Sequence, residues 1–175
     1  MRTRKSGLIS ILALGLLAGS AVGVAAQDEP SVEATEVTGQ VTFGQPIAMP
    51  DPVESPDGIV VQEGMAFQHT WDTSDPRLTG EGTYTVNAVG VPDCCAIQAE
   101  AYELSNDGGS WVGDGRSVSP ESGRHGFVAL SGRDGYEGLT AYAVTEAAAD
   151  GSGWDITGMI FPSEMPEIPE PYVAE

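Results

Sequence analysis

Residues 101–113, Ala-Tyr-Glu-Leu-Ser-Asn-Asp-Gly-Gly-Ser-Trp-Val-Gly, decide the fold. Tyr102 and Leu104 alternate with Ala101 and Glu103. A period of two sends one set of side chains into a core and the other into water, as in a half-buried strand. Asn106-Asp107-Gly108-Gly109 follows at once. Asp and Gly tolerate the positive φ angles of a tight turn, Gly because it has no Cβ. Trp111–Gly113 then starts a return strand, so the stretch predicts an antiparallel hairpin.

The same pattern spreads outward in both directions. Met65, Phe67, His69 and Trp71 fall on one face, opposite Ala66, Gln68, Thr70 and Asp72. Tyr84, Val86 and Ala88 alternate with Thr83, Thr85 and Asn87, and Trp154, Ile156 and Ile160 with Asp155, Thr157 and Met159. Asp-Gly steps recur at 57–58, 107–108, 114–115, 134–135 and 150–151. No segment of the main body sustains a helical period. The expectation is an all-β antiparallel meander of roughly seven to eight strands, folded as a sandwich or closed as a small barrel. Closure is preferred because it leaves no exposed sheet edge. Glycines at 80, 82, 113, 115, 132, 135 and 138 mark bends where such a sheet must coil.

Around this body the chain divides into four parts. Residues 1–26 carry Arg2, Arg4 and Lys5, an apolar run from Gly7 to Ala18, and small residues ending at Ala25-Ala26. That order is the pattern of a secretory signal peptide, and it predicts a secreted or extracytoplasmic protein beginning at Gln27. Residues 27–58 form an acidic, proline-rich lead-in with one candidate strand at 37–44; prolines at 46, 50, 52 and 56 argue against regular helix or central strand from residue 45. Residues 59–161 form the barrel core. Residues 162–175 repeat Pro-acid steps and read as an extended tail.

Charge excludes partners more clearly than it names them. The full chain has a formal net charge of −19, and beyond residue 26 four arginines and no lysine stand against 26 carboxylates, a net of −22. Such a surface repels nucleic acid and anionic membranes, which are bound through Lys and Arg. No membrane insertion is expected once the signal is removed. Nothing in the pattern requires a cofactor, and nothing in it bears on an oligomeric state.

Two stretches carry a resemblance. Residues 106–113 (NDGGSWVG) and 135–161 (GYEGLTAYAVTEAAADGSGWDITGMIF), with Ser74-Asp75-Pro76-Arg77, are similar to a group of small exported bacterial proteins of unknown function. Members share NDGGxWxG, GYxGLxY and a closing WxIxGxIFP, this chain having one residue more before the last Tyr of the second motif (Gly135–Tyr142), and the group implies no activity. The order of hairpins also resembles the eight-stranded barrels of the calycin and allene-oxide-cyclase type. That likeness is one of architecture and imports no substrate.

Candidate chemistry is sparse. The aromatic face of Met65, Phe67, His69 and Trp71, with Tyr84, is the candidate ligand-binding surface, for a small apolar ligand in the mouth of the barrel or for an envelope component. His69 on that face is either a buried, hydrogen-bonded core residue or a general base, the second supporting a cyclase- or isomerase-type reaction on the barrel analogy. His125, beside Gly123-Arg124, reads as solvated. Adjacent Cys94 and Cys95 form a candidate redox pair, able to close a vicinal disulfide or to pair elsewhere. No catalytic residues and no metal ligands are assigned: Asn106–Gly109 and Asp72–Asp75 cluster oxygen atoms as calcium loops do, but turn formation accounts for both. The alternative to ligand binding is a structural or interaction module of the cell surface.

Overall fold

The computed structural model describes residues 33–163. The expected signal segment 1–26 and nearly all of the acidic tail 162–175 therefore lie outside the described residues. The described chain is all β apart from two single 3₁₀ turns, Pro76–Leu78 and Asp134–Tyr136. In chain order the strands are β1 (Thr35–Ala48), β2 (Val53–Glu54), β3 (Val60–Thr73), β4 (Gly80–Val91), β5 (Cys95–Asn106), β6 (Gly109–Pro120), β7 (His125–Arg133), β8 (Thr140–Ala147) and β9 (Trp154–Phe161).

Every strand from β3 to β9 pairs antiparallel with the next. β1 closes the sheet: its first half pairs with β9 from Thr35 to Val41, and its second half with β3 from Gly39 to Ala48. The result is a closed eight-stranded meander barrel, with the two-residue β2 hung on the outer end of β3. The candidate strand at 37–44 lies within β1. Pro46 also lies within β1, two residues beyond the end of that candidate, at a register shift between Phe43 and Ala48 where a ladder hydrogen bond is not required.

The period-two reading sets the interior. Val37, Val41, Met65, Trp71, Tyr84, Val86, Tyr102, Leu104, Trp111, Val128, Leu130, Ile156 and Ile160 form one buried cluster. A bulge between Gln62 and Met65 keeps β3 in phase; Gly64 there has φ +73°, and its N–H donates to Asn87 Oδ1 at 2.7 Å.

The two ends of the barrel differ. At one end the turns 74–79, 107–108 and 134–139 gather, and Leu78 and Tyr136 from the 3₁₀ turns are buried over the interior. At the other lie the connections 49–59, 92–94, 121–124 and 148–153. We call these the sealed end and the mouth. Cys94 and Cys95 are joined as a disulfide at the mouth, in the β4–β5 connection.

The outer wall carries an apolar band. Val89, Ile97 and Val118 are cross-strand neighbours, as are Phe127 and Val144. The Phe127 and Tyr142 rings stack at 5.5 Å, and Tyr142 meets Phe161 at 5.4 Å. Phe127 keeps 47% of its surface exposed and Ile97 keeps 53%.

Candidate functional site

At the sealed end the residues that carried the motif resemblance meet. The Asn106 amide donates to the carbonyls of Pro76, Arg77 and Thr79, at 3.1, 3.3 and 2.7 Å. Its Oδ1 accepts from Gly108 N–H at 2.9 Å and from the Tyr136 hydroxyl at 2.7 Å. Trp111 Nε1 donates to the Arg77 carbonyl at 2.7 Å, and its ring stacks on Tyr136. Asp75 accepts from Arg77 Nη2 at 2.6 Å. That side-chain hydrogen bond holds the Asp75 carboxyl below the usual carboxylate range, against the opposing effect of burial. NDGG, SDPR and GY are thus three parts of one plug. A hollow of about 570 Å³ lies over it, lined by Asp72, Arg77, Asn106, Asp107 and Tyr136 among others. Of its lining residues, Asn106, Arg77 and Tyr136 already commit their polar groups to the plug itself.

His69 sits between the ends, fully enclosed. Trp71 Nε1–H donates to His69 Nδ1 at 2.8 Å, so Nδ1 must carry a lone pair. Nε2 lies 3.0 Å from the Glu103 carbonyl, an acceptor, so Nε2 must carry the hydrogen. The two partners select one neutral tautomer and occupy both nitrogens. Burial keeps the pKa of His69 below its ordinary 6.5, against a smaller opposing contribution from the Glu103 bond. Of the five residues expected at a ligand surface, Met65, Phe67 and Tyr84 line one pocket together; Trp71 and His69 are not part of it, and His69 borders a separate depression with Gln68, Thr70 and Gly82.

That pocket opens at the mouth. Phe43, Met65, Phe67, Tyr84, Val86, Gln98 and Trp154 surround about 310 Å³, at the low end of the range for small-molecule sites. Phe43 from β1 meets Trp154 from β9 edge-on at 4.4 Å, and Tyr84 lies 5.3 Å from Trp154. The polar groups carried by this lining are the Gln98 carboxamide, the Tyr84 hydroxyl and the Trp154 indole N–H.

Beneath and beside the pocket lies a buried ion pair. Glu100 projects inward from β5, in the same alternation as Tyr102 and Leu104, and its side chain is wholly enclosed. Arg124, in the turn before β7, reaches it with Nη2 at 2.5 and 2.7 Å from the two carboxylate oxygens. Tyr84 and Tyr102 hydroxyls donate to Glu100 at 3.2 and 2.6 Å, and Ser117 Oγ lies 2.6 Å from it. Arg124 Nη1 also donates to Thr145 Oγ1. The guanidinium carbon lies 3.5 Å over the Trp154 ring, a cation–π contact. Burial, and then the charge of Glu100, hold both tyrosine hydroxyls far above the ordinary phenol range, so they remain donors. Arg124 Nε is the one buried side-chain nitrogen or oxygen among the described residues without a hydrogen-bond partner.

Two inward-facing glycines make the space. A Cβ on Gly115 would stand 2.7 Å from Glu100 Oε2, and one on Gly126 would stand 2.6 Å from Arg124 Nη1. The ion pair does not line the pocket. It fixes two of its walls, Tyr84 by a hydrogen bond and Trp154 by the stacked guanidinium.

Several of these residues escaped the sequence reading. Glu100 and Gln98 follow from extending the Tyr102–Leu104 alternation two and four residues back. Arg124 had no such signal, because a turn residue has no strand frame; its neighbour His125 is exposed, 3.5 Å from Glu146. The chain matches no known family model, no curated protein and no solved structure. The site must therefore be read from its own chemistry.

Proposed function

We propose that this chain is an exported, noncatalytic binding protein that takes a small, neutral, apolar or amphipathic molecule into the mouth of its barrel. One observation carries the reading: four aromatic rings, Met65 and Val86 line a hollow whose polar groups are few, the Gln98 carboxamide, the Tyr84 hydroxyl and the Trp154 indole N–H. Small-molecule sites characteristically combine apolar walls with a few placed polar groups. The noncatalytic part is supported by His69, whose two nitrogens are both engaged, and by Tyr84 and Tyr102, held as hydroxyl donors to one carboxylate. Export rests on the basic, apolar and small-residue order of residues 1–26.

The test uses the tryptophans. Trp71 and Trp111 are fully buried, while Trp154 is half-buried and lines the pocket. An apolar molecule entering the mouth should shift Trp154 emission in a saturable way and raise the melting temperature. At 100 times its dissociation constant a ligand adds about 2.7 kcal/mol of stability. A panel of terpenoids, fatty acids and haem, read by both signals and repeated with Trp154→Phe, is the measurement. Absence of any saturable response across the panel would overturn the reading.

The second reading, a surface interaction module, draws on the outer apolar band. Micromolar self-association in sedimentation, abolished by Phe127→Ser, together with no response at the mouth, would favour it.

A further inference from the structure

We infer that the molecule bound at the mouth carries a hydroxyl group as its polar end, and that Gln98 reads this hydroxyl through its side-chain carbonyl. The inference rests on the mouth-binding reading and narrows it to a chemical class.

Ser117 is placed against two acceptors but has one hydrogen to give. Its Oγ lies 2.6 Å from Glu100 Oε1 and 2.7 Å from Gln98 Oε1. A serine hydroxyl has one hydrogen and can donate to only one of them. Glu100 is a carboxylate paired with Arg124, and it can only accept. If the Ser117 hydrogen pointed at Gln98, the Ser117 and Glu100 oxygens would face each other at 2.6 Å with no hydrogen between them, a repulsion that burial strengthens. The hydrogen therefore goes to Glu100, and whatever part of Gln98 faces Ser117 must donate. The two arms of a carboxamide have nearly the same size and shape, and their hydrogen-bond partners assign them. The amide nitrogen belongs against Ser117, and the carbonyl oxygen turns to the pocket.

The consequence is a pocket with apolar walls and one hydrogen-bond acceptor held in place from behind. The chain Arg124–Glu100–Ser117–Gln98 fixes its direction, each group donating to or accepting from the next. This carbonyl is open to solvent in the pocket, and an apolar molecule that covers it must replace that hydration with a donor of its own. An alcohol supplies one. An ether, a ketone or a carboxylate placed at Gln98 presents lone pairs to lone pairs. An ammonium would also donate, but the Arg124 guanidinium already lies on the Trp154 ring, and Glu100 is taken by Arg124, so a second buried cation would have no counter-charge. At roughly 30 Å³ per water-sized group, the 310 Å³ hollow has room for a ligand the size of a monocyclic terpene.

The experiment compares probes of one shape on the full chain: menthol, menthyl methyl ether, p-menthane and menthylamine, titrated against Trp154 emission. Menthol should bind on the order of threefold to tenfold more tightly than its methyl ether, the effect of one neutral hydrogen bond. In Gln98→Leu that ratio should fall to about one while p-menthane binds at least as well as before. Equal affinities for menthol and the ether in the unaltered chain, or tighter binding of the ether or the amine, would overturn the hydroxyl inference and leave mouth binding intact. Failure of all four probes to bind would overturn the hydroxyl inference at this ligand size, and mouth binding itself falls only if the wider panel of terpenoids, fatty acids and haem also gives no saturable response. Should Gln98→Leu not fold, the unaltered chain still decides by nuclear Overhauser contacts: Gln98 Hε2 protons close to Ser117 Hβ support the assignment, and their absence overturns it.

Discussion

The two ends of this barrel solve the same problem with opposite means. Each must bury polar groups near large aromatic rings. At the sealed end Asn106 and Trp111 donate to backbone carbonyls of the 76–79 turn, so side chains lock main chain to main chain. At the mouth, side chains bond to other side chains around Glu100, and the backbone turns are left apart. The first arrangement pulls turns together and leaves no interior space. The second holds Tyr84 and Trp154 upright around a hollow. Backbone-directed bonds make a plug, and a buried charge pair makes a frame.

The largest expected effect comes from breaking that frame. Arg124→Met leaves Glu100 buried with no opposite charge, and loss of one partner of a buried pair costs about 3–5 kcal/mol. The double variant Arg124→Met/Glu100→Leu removes both charges and should recover most of that loss, since apolar replacement of a buried pair is often neutral or better. Urea unfolding of the three chains measures it. The comparison fails if the single variant costs less than about 1 kcal/mol, a value typical of exposed pairs.

The plug should respond less sharply. Asn106→Asp keeps the shape but replaces an amide donor with an oxygen facing the carbonyls of Pro76, Arg77 and Thr79. Unsatisfied buried polar groups cost about 1–3 kcal/mol, so we expect about 2 kcal/mol by the same unfolding measurement. Mouth binding, read by Trp154 emission, should survive in the folded fraction. Equal loss of probe affinity in Asn106→Asp and Arg124→Met would erase the distinction between the ends.

His69 lies between the two regions and gives the comparison a pH axis. Burial holds its pKa below 6.5, so the folded chain favours the neutral ring while the unfolded chain titrates near 6.5. Between those two pKa values the unfolded state binds more protons. The contribution of His69 is therefore fully present above about pH 6.5 and is lost as pH falls through the window below it. The difference in unfolding free energy between the unaltered chain and His69→Gln should shrink from pH 7.5 to pH 5.5. A constant difference would mean that the imidazole is not held neutral by its Trp71 and Glu103 partners.

How much of this was legible in residues 27–175 depended on whether a residue had a strand frame. Alternation at 65–71, 84–88, 101–104 and 154–160 was enough for an all-β meander, and hairpin turns with an edge-avoidance argument led on to a closed barrel. It placed Phe67 and Tyr84 inward by the same rule that places Glu100 and Gln98 inward. What could not be read were contacts made across the barrel interior. Arg124 sits in a turn, and its path to Glu100 depends on the absence of a Cβ at Gly126, more than a strand away from Glu100 in sequence. The division of the aromatic face into lining (Met65, Phe67, Tyr84) and deep core (His69, Trp71) depends on how far along the barrel axis each residue falls. Period two reports the face of a strand and carries no information on depth.

The smallest effect belongs to the disulfide at the rim of the mouth. Cys94 and Cys95 are adjacent and joined, in the connection between β4 and β5. In the chain-entropy account a cross-link stabilises by the size of the loop it closes in the unfolded state. A link between neighbours closes almost none, and it adds at most about 1 kcal/mol on that account. The double variant Cys94→Ser/Cys95→Ser should therefore melt within a few degrees of the unaltered chain, roughly the shift that 1 kcal/mol produces in a domain of this size. Probe affinity is the sharper reading. The pair lies outside the pocket lining, so menthol should bind the variant and the unaltered chain alike. An affinity change of tenfold or more would bring the β4–β5 rim into the site and make the boundary between frame and rim a functional one.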